Sequence, residues 1–186
     1  MRKLKLQTQI SIDGFISGLN GEMDWITFNW SEDLISYVTQ LTEPVGTIVL
    51  GKNLAQGFIP HWTAALNSET PEPGAEKFVK TPKVVFSSSL AKSEWENTVL
   101  AKGNLVEEIN ALKKQPGGDI IAYGGAKFVS SLIKENLIDE LHLFVNPVVL
   151  GNGLSIFKEV TKNQKYRIIH SQQFECGIIV LTYKPE

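Results

Sequence analysis

The chain has 186 residues, of which 42% are hydrophobic and 20% charged, so we expect one globular domain over residues 1–186 with a sizeable core. The formal net charge is −2, which provides no positive field for nucleic acid or an anionic membrane surface, so we expect a small-molecule partner. The single cysteine excludes an internal disulfide, and no apolar run has the length of a membrane span or signal core. These features together predict a cytoplasmic protein.

The first predicted elements alternate between strand and helix. Leu4 to Ile12 has the apolar pattern of an opening strand, and Asp13-Gly14 ends it with a sharp turn. Ser31 is the predicted N-cap of a helix whose apolar positions recur every three or four residues as far as Leu41. The apolar run 45–50 then predicts a strand that is buried on both faces, as in a parallel sheet.

The middle of the chain predicts a long loop, two short strands and a helix. Residues 56–74 are rich in Pro, Thr and Gly, which favours the loop. The strands are predicted at 83–86 and 98–100. Apolar residues at helical spacing from Leu105 onward predict a helix that ends before Pro116-Gly117-Gly118.

The last third predicts a strand, a glycine turn and a helix, followed by a tail rich in strands. The turn is Gly124-Gly125, and the helix after it carries an apolar face. The predicted strands lie at 120–123, 141–150, 166–174 and 178–183. This order predicts a three-layer α/β/α fold with a mostly parallel mixed central sheet and an antiparallel C-terminal edge.

Three of the predicted strands are followed by residues suited to binding phosphate. Gly124-Gly125 opens a helix, whose free amides and positive dipole end attract anions, although a tight packing turn would look the same. Lys52 follows Gly51 and adds a cation, although it also fits an ordinary surface lysine. Ser87-Ser88-Ser89 offers hydroxyl donors, or else caps a turn. Because these segments all follow parallel strands, the sequence predicts a dinucleotide site at one edge of the sheet.

Two carboxylates begin the first predicted helix, where they stabilise its dipole whatever else they do. Glu32 shares a face with Ser36 and Thr39 and is expected to be solvated, whereas Asp33 lies one turn from Tyr37. Asp33 is therefore the better candidate for a substrate ligand. The three histidines lack the spacing of metal ligands, so no metal site is predicted.

Several segments together resemble the dihydrofolate reductase superfamily, and most closely the reductase domain at the C-terminus of bacterial riboflavin-biosynthesis deaminase/reductases. The resemblance covers nearly the whole chain. It is carried by Ser11 to Ile16, Val49 to Lys52, Asp119 to Gly125, Leu137 to Leu141 and Asn146 to Gly153.

The resemblance implies NADPH as the cofactor and a homodimer as the assembly. It places Ile16 and Ser17 beside the nicotinamide, Gly124, Gly125 and Ala126 under the pyrophosphate, and Ser87, Ser88 and Lys127 near the adenosine 2′-phosphate. Gly51 and Lys52, which follow the second predicted strand, complete the predicted cofactor-binding residues. The resemblance also implies a substrate pocket that contains Asp13, Trp25 and Asp33, in which Asp33 is the predicted catalytic carboxylate.

The resemblance leaves the substrate and the proton donor open. A riboflavin-type pyrimidine would be reduced at its ribose carbon and dihydrofolate at a ring imine, and Asp33 either delivers the proton or orients the substrate while a bound water delivers it. A non-catalytic nucleotide-binding module is the alternative. It is favoured by the segment Gly51-Lys52-Asn53-Leu54, where the family usually has Gly-Arg-x-Thr.

Overall fold

The computed structural model describes residues 1–186, whose strands all join one mixed sheet. The strands are β1 (Leu4–Ser11), β2 (Val45–Gly51), β3 (Lys83–Phe86), β4 (Thr98–Ala101), β5 (Asp119–Ala122), β6 (Glu140–Asn146), β7 (Tyr166–Gln173) and β8 (Ile179–Pro185). The helices are α1 (Glu32–Thr42), α2 (Lys52–Leu66), α3 (Ala75–Lys80), α4 (Leu105–Lys114) and α5 (Ala126–Lys134).

The strand order is β4-β3-β2-β5-β1-β6-β8-β7. The strands from β4 to β6 run parallel, whereas β8 pairs antiparallel with both β6 and β7. The predicted fold, with a parallel body and an antiparallel C-terminal edge, is confirmed. The parallel body brings the carboxyl ends of its six neighbouring strands to the same edge of the sheet.

The helices cover the two faces of the sheet differently. On the α4/α5 face, Leu4, Leu6 and Ile10 of β1 join one continuous hydrophobic cluster with both helices. On the opposite face, which we call the α1/α2 face, there are two separate clusters. One lies under α2 and includes Ile121, and the other lies under α1 and includes Phe144.

Local sequence explains the two helices of the α4/α5 face. The Asn104 side chain caps α4 by accepting hydrogen bonds from the amides of Val106 (2.9 Å) and Glu107 (3.3 Å), as its residue type favours. Acidic residues in the first turn of α4 and lysines in its last turn complement the helix dipole. In α5, Val129, Leu132 and Ile133 are all buried, which fastens the helix to the sheet.

The prediction of a loop over residues 56–74 is wrong for its first half, because α2 continues to Leu66. Gly57 and Pro60 disfavour a helix in the isolated sequence. However, Ala55, Ile59 and Ala65 are buried, and the first two pack on β2 and β3. Burial of this face outweighs the intrinsic preference of the two residues, since tertiary packing supplies most helix stability in proteins.

The prediction of one strand over residues 141–150 is also too long. β6 ends at Asn146, because Pro147 has no amide hydrogen to continue the ladder. Beyond it, the Val148 amide donates to the Asn146 carbonyl at 2.8 Å, and the Ile12 amide donates to the Val148 carbonyl at 2.8 Å. Residues 147–150 therefore form a loop that is fastened to the end of β1.

Candidate cofactor and substrate site

The residues predicted to bind the cofactor lie around the carboxyl edge of the sheet. Gly51 ends β2, Ser87 follows β3, and Gly124 lies just after β5. Ile16 follows the turn after β1. Because β3, β2, β5 and β1 are consecutive in the sheet, the structure brings these four segments of the chain side by side.

The turn between β5 and α5 has a backbone that favours glycine. Gly124 has φ 146° and Gly125 has φ 82°, both in the region that residues with a side chain rarely adopt. Gly125 is the N-cap of α5 and offers no side-chain cap to the first amides of the helix. Those amides and the positive dipole end remain free for an anion, as a pyrophosphate would require.

Gly51 has a packing role at this edge. A Cβ atom on Gly51 would lie 2.8 Å from the Cβ of Phe128, so only glycine lets β2 approach α5 this closely. The Phe128 ring in turn lies 5.1 Å from the ring of Phe86 at the end of β3. These contacts hold the start of α5 next to the segment that follows β3.

Lys52 and the serine segment meet, as their positions after β2 and β3 predict. The Lys52 Nζ donates to the Ser89 Oγ at 2.9 Å. The Ser87 Oγ accepts from the amides of Ser89 (3.2 Å) and Leu90 (3.1 Å), which fixes the turn. Ser88 is exposed and makes no hydrogen bond within the chain. The pair of Lys52 and Ser89 thus provides a cation and a hydroxyl group at one point. Ser89 belongs to the predicted serine segment, although the resemblance implies cofactor contacts only for Ser87 and Ser88.

The two residues at the start of α5 are less constrained. Ala126 is half-buried, and its side chain packs against the hydrophobic cluster of the α4/α5 face. Lys127 is exposed on the first turn of the helix. Its ammonium group is therefore free to reach a phosphate near the helix N-terminus.

Ile16 and Ser17 are fastened by backbone hydrogen bonds to Leu154. The Ile16 amide donates to the Leu154 carbonyl, and the Leu154 amide donates to the Ser17 carbonyl, both at 2.9 Å. Ile16 belongs to the same hydrophobic cluster as Val129 of α5. A Cβ atom on Gly153 would lie 2.3 Å from the Ser17 carbonyl oxygen, so this close pairing needs glycine there.

Asp13 fastens the turn after β1 to the loop after β6. Its carboxylate accepts from the Ser11 hydroxyl (2.7 Å) and from the amides of Leu150 (3.1 Å) and Gly151 (2.7 Å). The hydrogen bond from Ser11 and those from the two amides hold the pKa of Asp13 below its ordinary value. The predicted substrate ligand is therefore already used in joining two loops.

Asp33 has a similar structural role at the other end of the site. Its carboxylate accepts from the Ser31 hydroxyl and from the amides of Leu34 (2.8 Å) and Glu175 (3.2 Å). The bond from Ser31 is the main cause that holds the pKa of Asp33 below its ordinary value. Ser31 occupies the N-cap position, as predicted, but its side chain makes no capping hydrogen bond to α1.

Trp25 lies in the segment between β1 and α1, which Asn146 holds in place. The Trp25 indole donates to the Glu22 carbonyl at 3.2 Å. The fully buried Asn146 accepts from the Thr27 amide at 2.9 Å and donates to the Gln9 Oε1 at 2.7 Å. Asn146 was not among the predicted site residues, although an asparagine directly before a proline at the end of an apolar strand is a recognisable signal.

A row of polar side chains on β1 was also missed. Lys5, Gln7 and Gln9 alternate with the apolar residues of the strand and point to the α1/α2 face. The Lys5 ammonium pairs with Asp119 at 2.9 Å. A strand that is central in a parallel sheet is expected to be apolar on both faces. Three polar side chains on one face of β1 are therefore a signal that the sequence contains.

His142 of β6 lies beside this row and is buried. Its Nδ1 lies 3.3 Å from the Tyr37 hydroxyl and 3.2 Å from the Thr182 hydroxyl, and its Nε2 lies 3.4 Å from the Glu140 carboxylate. Burial lowers the pKa of His142 to about 4, against the opposing effect of Glu140. The imidazole is therefore neutral at neutral pH.

No three His, Cys, Asp or Glu side chains lie close enough together to hold a metal ion. No helix is both long and apolar enough to span a bilayer.

The fold and the glycine turn define an α/β protein of the dihydrofolate-reductase-like class. Dihydrofolate reductase from Enterococcus faecalis, solved in complex with NADP(H) and RAB-propyl, superposes with a TM-score of 0.64 at 19% identity over 99% of this chain and 96% of that one. At this level of identity the likeness concerns the fold alone.

The sequence comparisons are more specific. The profile of the RibD C-terminal domain matches residues 2–180, so the chain belongs to that family. The uncharacterized protein YyaP of Bacillus subtilis (strain 168) is 32% identical over 189 positions, which cover 98% of this chain and 94% of that protein.

Two further solved structures share the fold. A putative riboflavin biosynthesis protein from Shewanella sp. PV-4 has a TM-score of 0.74 at 23% identity and covers 100% of this chain and 99% of its own. The deaminase/5-amino-6-(5-phosphoribosylamino)uracil reductase from Thermotoga maritima has a TM-score of 0.71 at 18% identity, and the match covers 57% of that longer chain.

Proposed function

We propose that this protein is an NADPH-dependent reductase that acts on a small pyrimidine- or pterin-like substrate, most closely of the 5-amino-6-(5-phosphoribosylamino)uracil reductase type. The observation that carries the proposal is that the Gly124-Gly125 turn and the pair of Lys52 and Ser89 lie at the same edge of the sheet, after neighbouring parallel strands. Membership of the RibD C-terminal domain family supports the same conclusion.

The residues at this edge fit a phosphorylated dinucleotide. The free amides at the start of α5 suit the pyrophosphate, since they carry partial positive charge that needs no counter-ion from the chain. Lys52, Ser88, Ser89 and Lys127 would bind the 2′-phosphate, and this preference for the extra phosphate distinguishes NADPH from NADH.

NADPH supplies a hydride when bound, and the chain supplies position and a dry environment. Ile16 is 7% exposed and would form an apolar wall for the nicotinamide ring. The substrate would lie between α1 and α2, beside the polar side chains of β1. Fixing two reactants at contact distance and excluding water supply most of the rate in such a site.

Two experiments test the proposal. Calorimetric titration of the purified protein with NADPH and with NADH should give measurable binding of NADPH and weaker binding of NADH. Loss of reduced-nicotinamide absorbance in the presence of pyrimidine and pterin candidates would then identify the substrate. If neither cofactor binds, the proposed activity is excluded.

One observation favours a second candidate, a module that binds a nucleotide without turnover. Leu54 stands where the family pattern has threonine, and a Cβ atom on Gly125 would lie 3.6 Å from the Leu54 Cβ. An apolar side chain thus covers part of the glycine turn where a hydroxyl donor would otherwise face the phosphates. This candidate predicts that NADPH binds but is not oxidised with any substrate tested.

We also propose that the protein is a homodimer. β7 is an edge strand in which most residues are exposed, including Ile168 at 54% and Ile169 at 40%. An exposed apolar edge strand is a template for pairing with another chain. Light scattering at micromolar concentration should give the mass of two chains, and a monodisperse monomer would exclude the dimer.

A further inference from the structure

Gln7 is an anomaly in the middle of the sheet. Its side chain is 7% exposed, and its Oε1 is a buried oxygen that has no hydrogen-bond partner. Its Nε2 makes no hydrogen bond within the chain, and turning the amide over would only bury an N–H group in the same position. A buried polar group without a partner destabilises the folded state, so a leucine here would give the more stable protein.

The strand ladders place Gln7 at the floor of the gap between two helices. Gln7 pairs with His142 of β6, whose ring contacts Tyr37 of α1. On its other side, Leu6 pairs with Ala122 at the end of β5, so Tyr123, the residue after this strand, flanks Gln7 and contacts Phe58 of α2. Neither hydrophobic cluster of the α1/α2 face includes a residue of β1, so the clusters end on either side of this strand.

The polar groups around Gln7 already have partners within the protein. Lys5 pairs with Asp119, and both nitrogens of His142 face polar groups within 3.4 Å. The Gln9 Oε1 accepts from Asn146. The groups that still lack a partner are the Gln7 carboxamide, whose oxygen is closed to solvent in the free protein, and the Gln9 amino group, two residues away on the same face of β1.

We propose that the Gln7 carboxamide binds the N–H/C=O edge of the ring substrate, so that this site takes a neutral cyclic amide such as a pyrimidinedione. The inference rests on the proposed function. A carboxamide presents an acceptor and a donor side by side in one plane, which matches the acceptor and donor of a lactam edge. The buried oxygen then gains the partner that it lacks in the free protein.

The same geometry selects against a protonated amidine edge. Such an edge presents only donors, and one of them would face the Gln7 amino group. A carboxylate is the natural partner for that edge, but the Asp33 carboxylate is held by Ser31, Leu34 and Glu175. Gln7 therefore determines specificity, in favour of the neutral ring.

The test uses Gln7→Leu and Gln7→Glu, with uracil as the neutral probe and 2,4-diaminopyrimidine, titrated below its pKa, as the amidine probe. The wild-type protein should bind uracil more tightly. Gln7→Leu should weaken uracil binding by about tenfold, the value of one or two lost hydrogen bonds, and should unfold at the same or a higher urea concentration. Gln7→Glu should reverse the order of the probes.

Gln173→Leu is the matched control, because it makes the same chemical change on the exposed strand β7 and should leave both probe affinities unchanged. Wild-type protein that binds neither probe at millimolar concentration, or unchanged uracil binding in Gln7→Leu, would overturn the inference. NADPH titration of the same variants separates the two proposals. If NADPH binds normally but Gln7→Leu leaves uracil binding unchanged, the role of Gln7 is excluded and the proposed reductase is not. If Gln7→Leu weakens uracil binding but NADPH does not bind, the proposed reductase is excluded and the pyrimidine site at Gln7 is retained.

Discussion

The two faces of the central strand β1 differ in what they bury. On the α4/α5 face, Leu4, Leu6 and Ile10 join one continuous hydrophobic cluster under two helices. On the α1/α2 face, Lys5, Gln7 and Gln9 separate two smaller clusters. The apolar face stabilises the fold, whereas the polar face contains Gln7, whose buried oxygen has no partner and costs stability in the free protein.

Exchanging the chemistry of the two faces gives the largest expected effect. Leu6→Gln places an amide in the α4/α5 cluster, where Leu6 is fully buried, and should lower the free energy of unfolding by about 3–5 kcal/mol. Gln7→Leu makes the reverse change one residue away, and the free energy of unfolding should stay the same or rise. Urea unfolding of both variants checks this, and equal losses would mean that the faces do not differ as described.

The buried histidine of the polar face should make stability depend on pH. The unfolded chain takes up a proton at His142 near its ordinary pKa of 6.5, but the folded protein resists it down to about 4. The unfolded state thus binds more protons in this window, so the free energy of unfolding falls as pH falls, by up to about 3 kcal/mol.

Urea unfolding between those two pH values measures this dependence. His142→Gln should flatten it, whereas the matched change at the exposed His170 should leave it in place. If the free energy of unfolding changes equally with pH in the wild type and both variants, carboxylates rather than His142 cause the dependence.

Gly124→Ala tests the turn that begins the α4/α5 side of the site. The nearest atom to an added Cβ is the Thr8 Oγ1 at 3.8 Å, so space is available, and the φ of 146° is the obstacle. The strain should cost roughly 1–2 kcal/mol, and NADPH affinity should fall about tenfold as the turn relaxes. Gly74→Ala has a similar strain at φ 86° outside the site, and calorimetry should find its NADPH affinity unchanged.

The smallest expected effect is that of Lys52→Ala. Removing one partly exposed cation should weaken NADPH binding by roughly three- to tenfold, and the loss should shrink at high salt because exposed charges are screened. Lys77→Ala, a surface lysine on α3 that donates to the Glu43 carbonyl, is the control. A loss in Lys52→Ala that does not change with salt would contradict a direct phosphate contact.

The positions of the residues proposed to bind the cofactor were more predictable from sequence than those proposed to bind the substrate. Gly51-Lys52, Ser87 to Ser89 and Gly124-Gly125 each follow an apolar strand directly, so a pattern of a few neighbouring residues locates them at the same edge. The substrate side is assembled from single residues far apart in the chain. Gln7 and His142 meet only because β1 pairs with β6.

The errors in the predicted elements have the same origin. Residues 56–66 look like a loop because Gly57 and Pro60 disfavour a helix locally, but burial of Ala55 and Ile59 against the sheet makes the segment helical. The role of Asp33 as a substrate ligand stays a prediction. Its carboxylate also accepts from the Glu175 amide, a contact that the sequence does not indicate.

The sequence alone determined the eight strands, the helices α1, α4 and α5, the parallel body with an antiparallel edge, and the glycine turn at the start of α5, because these depend on periodicity and on residues next to one another. Only the tertiary structure decided that the polar row of β1 lies in a gap between α1 and α2, that Lys52 meets Ser89, and that Gln7 has no partner. Those facts depend on the side chains that long-range strand pairing brings together, and local patterns contain no record of them.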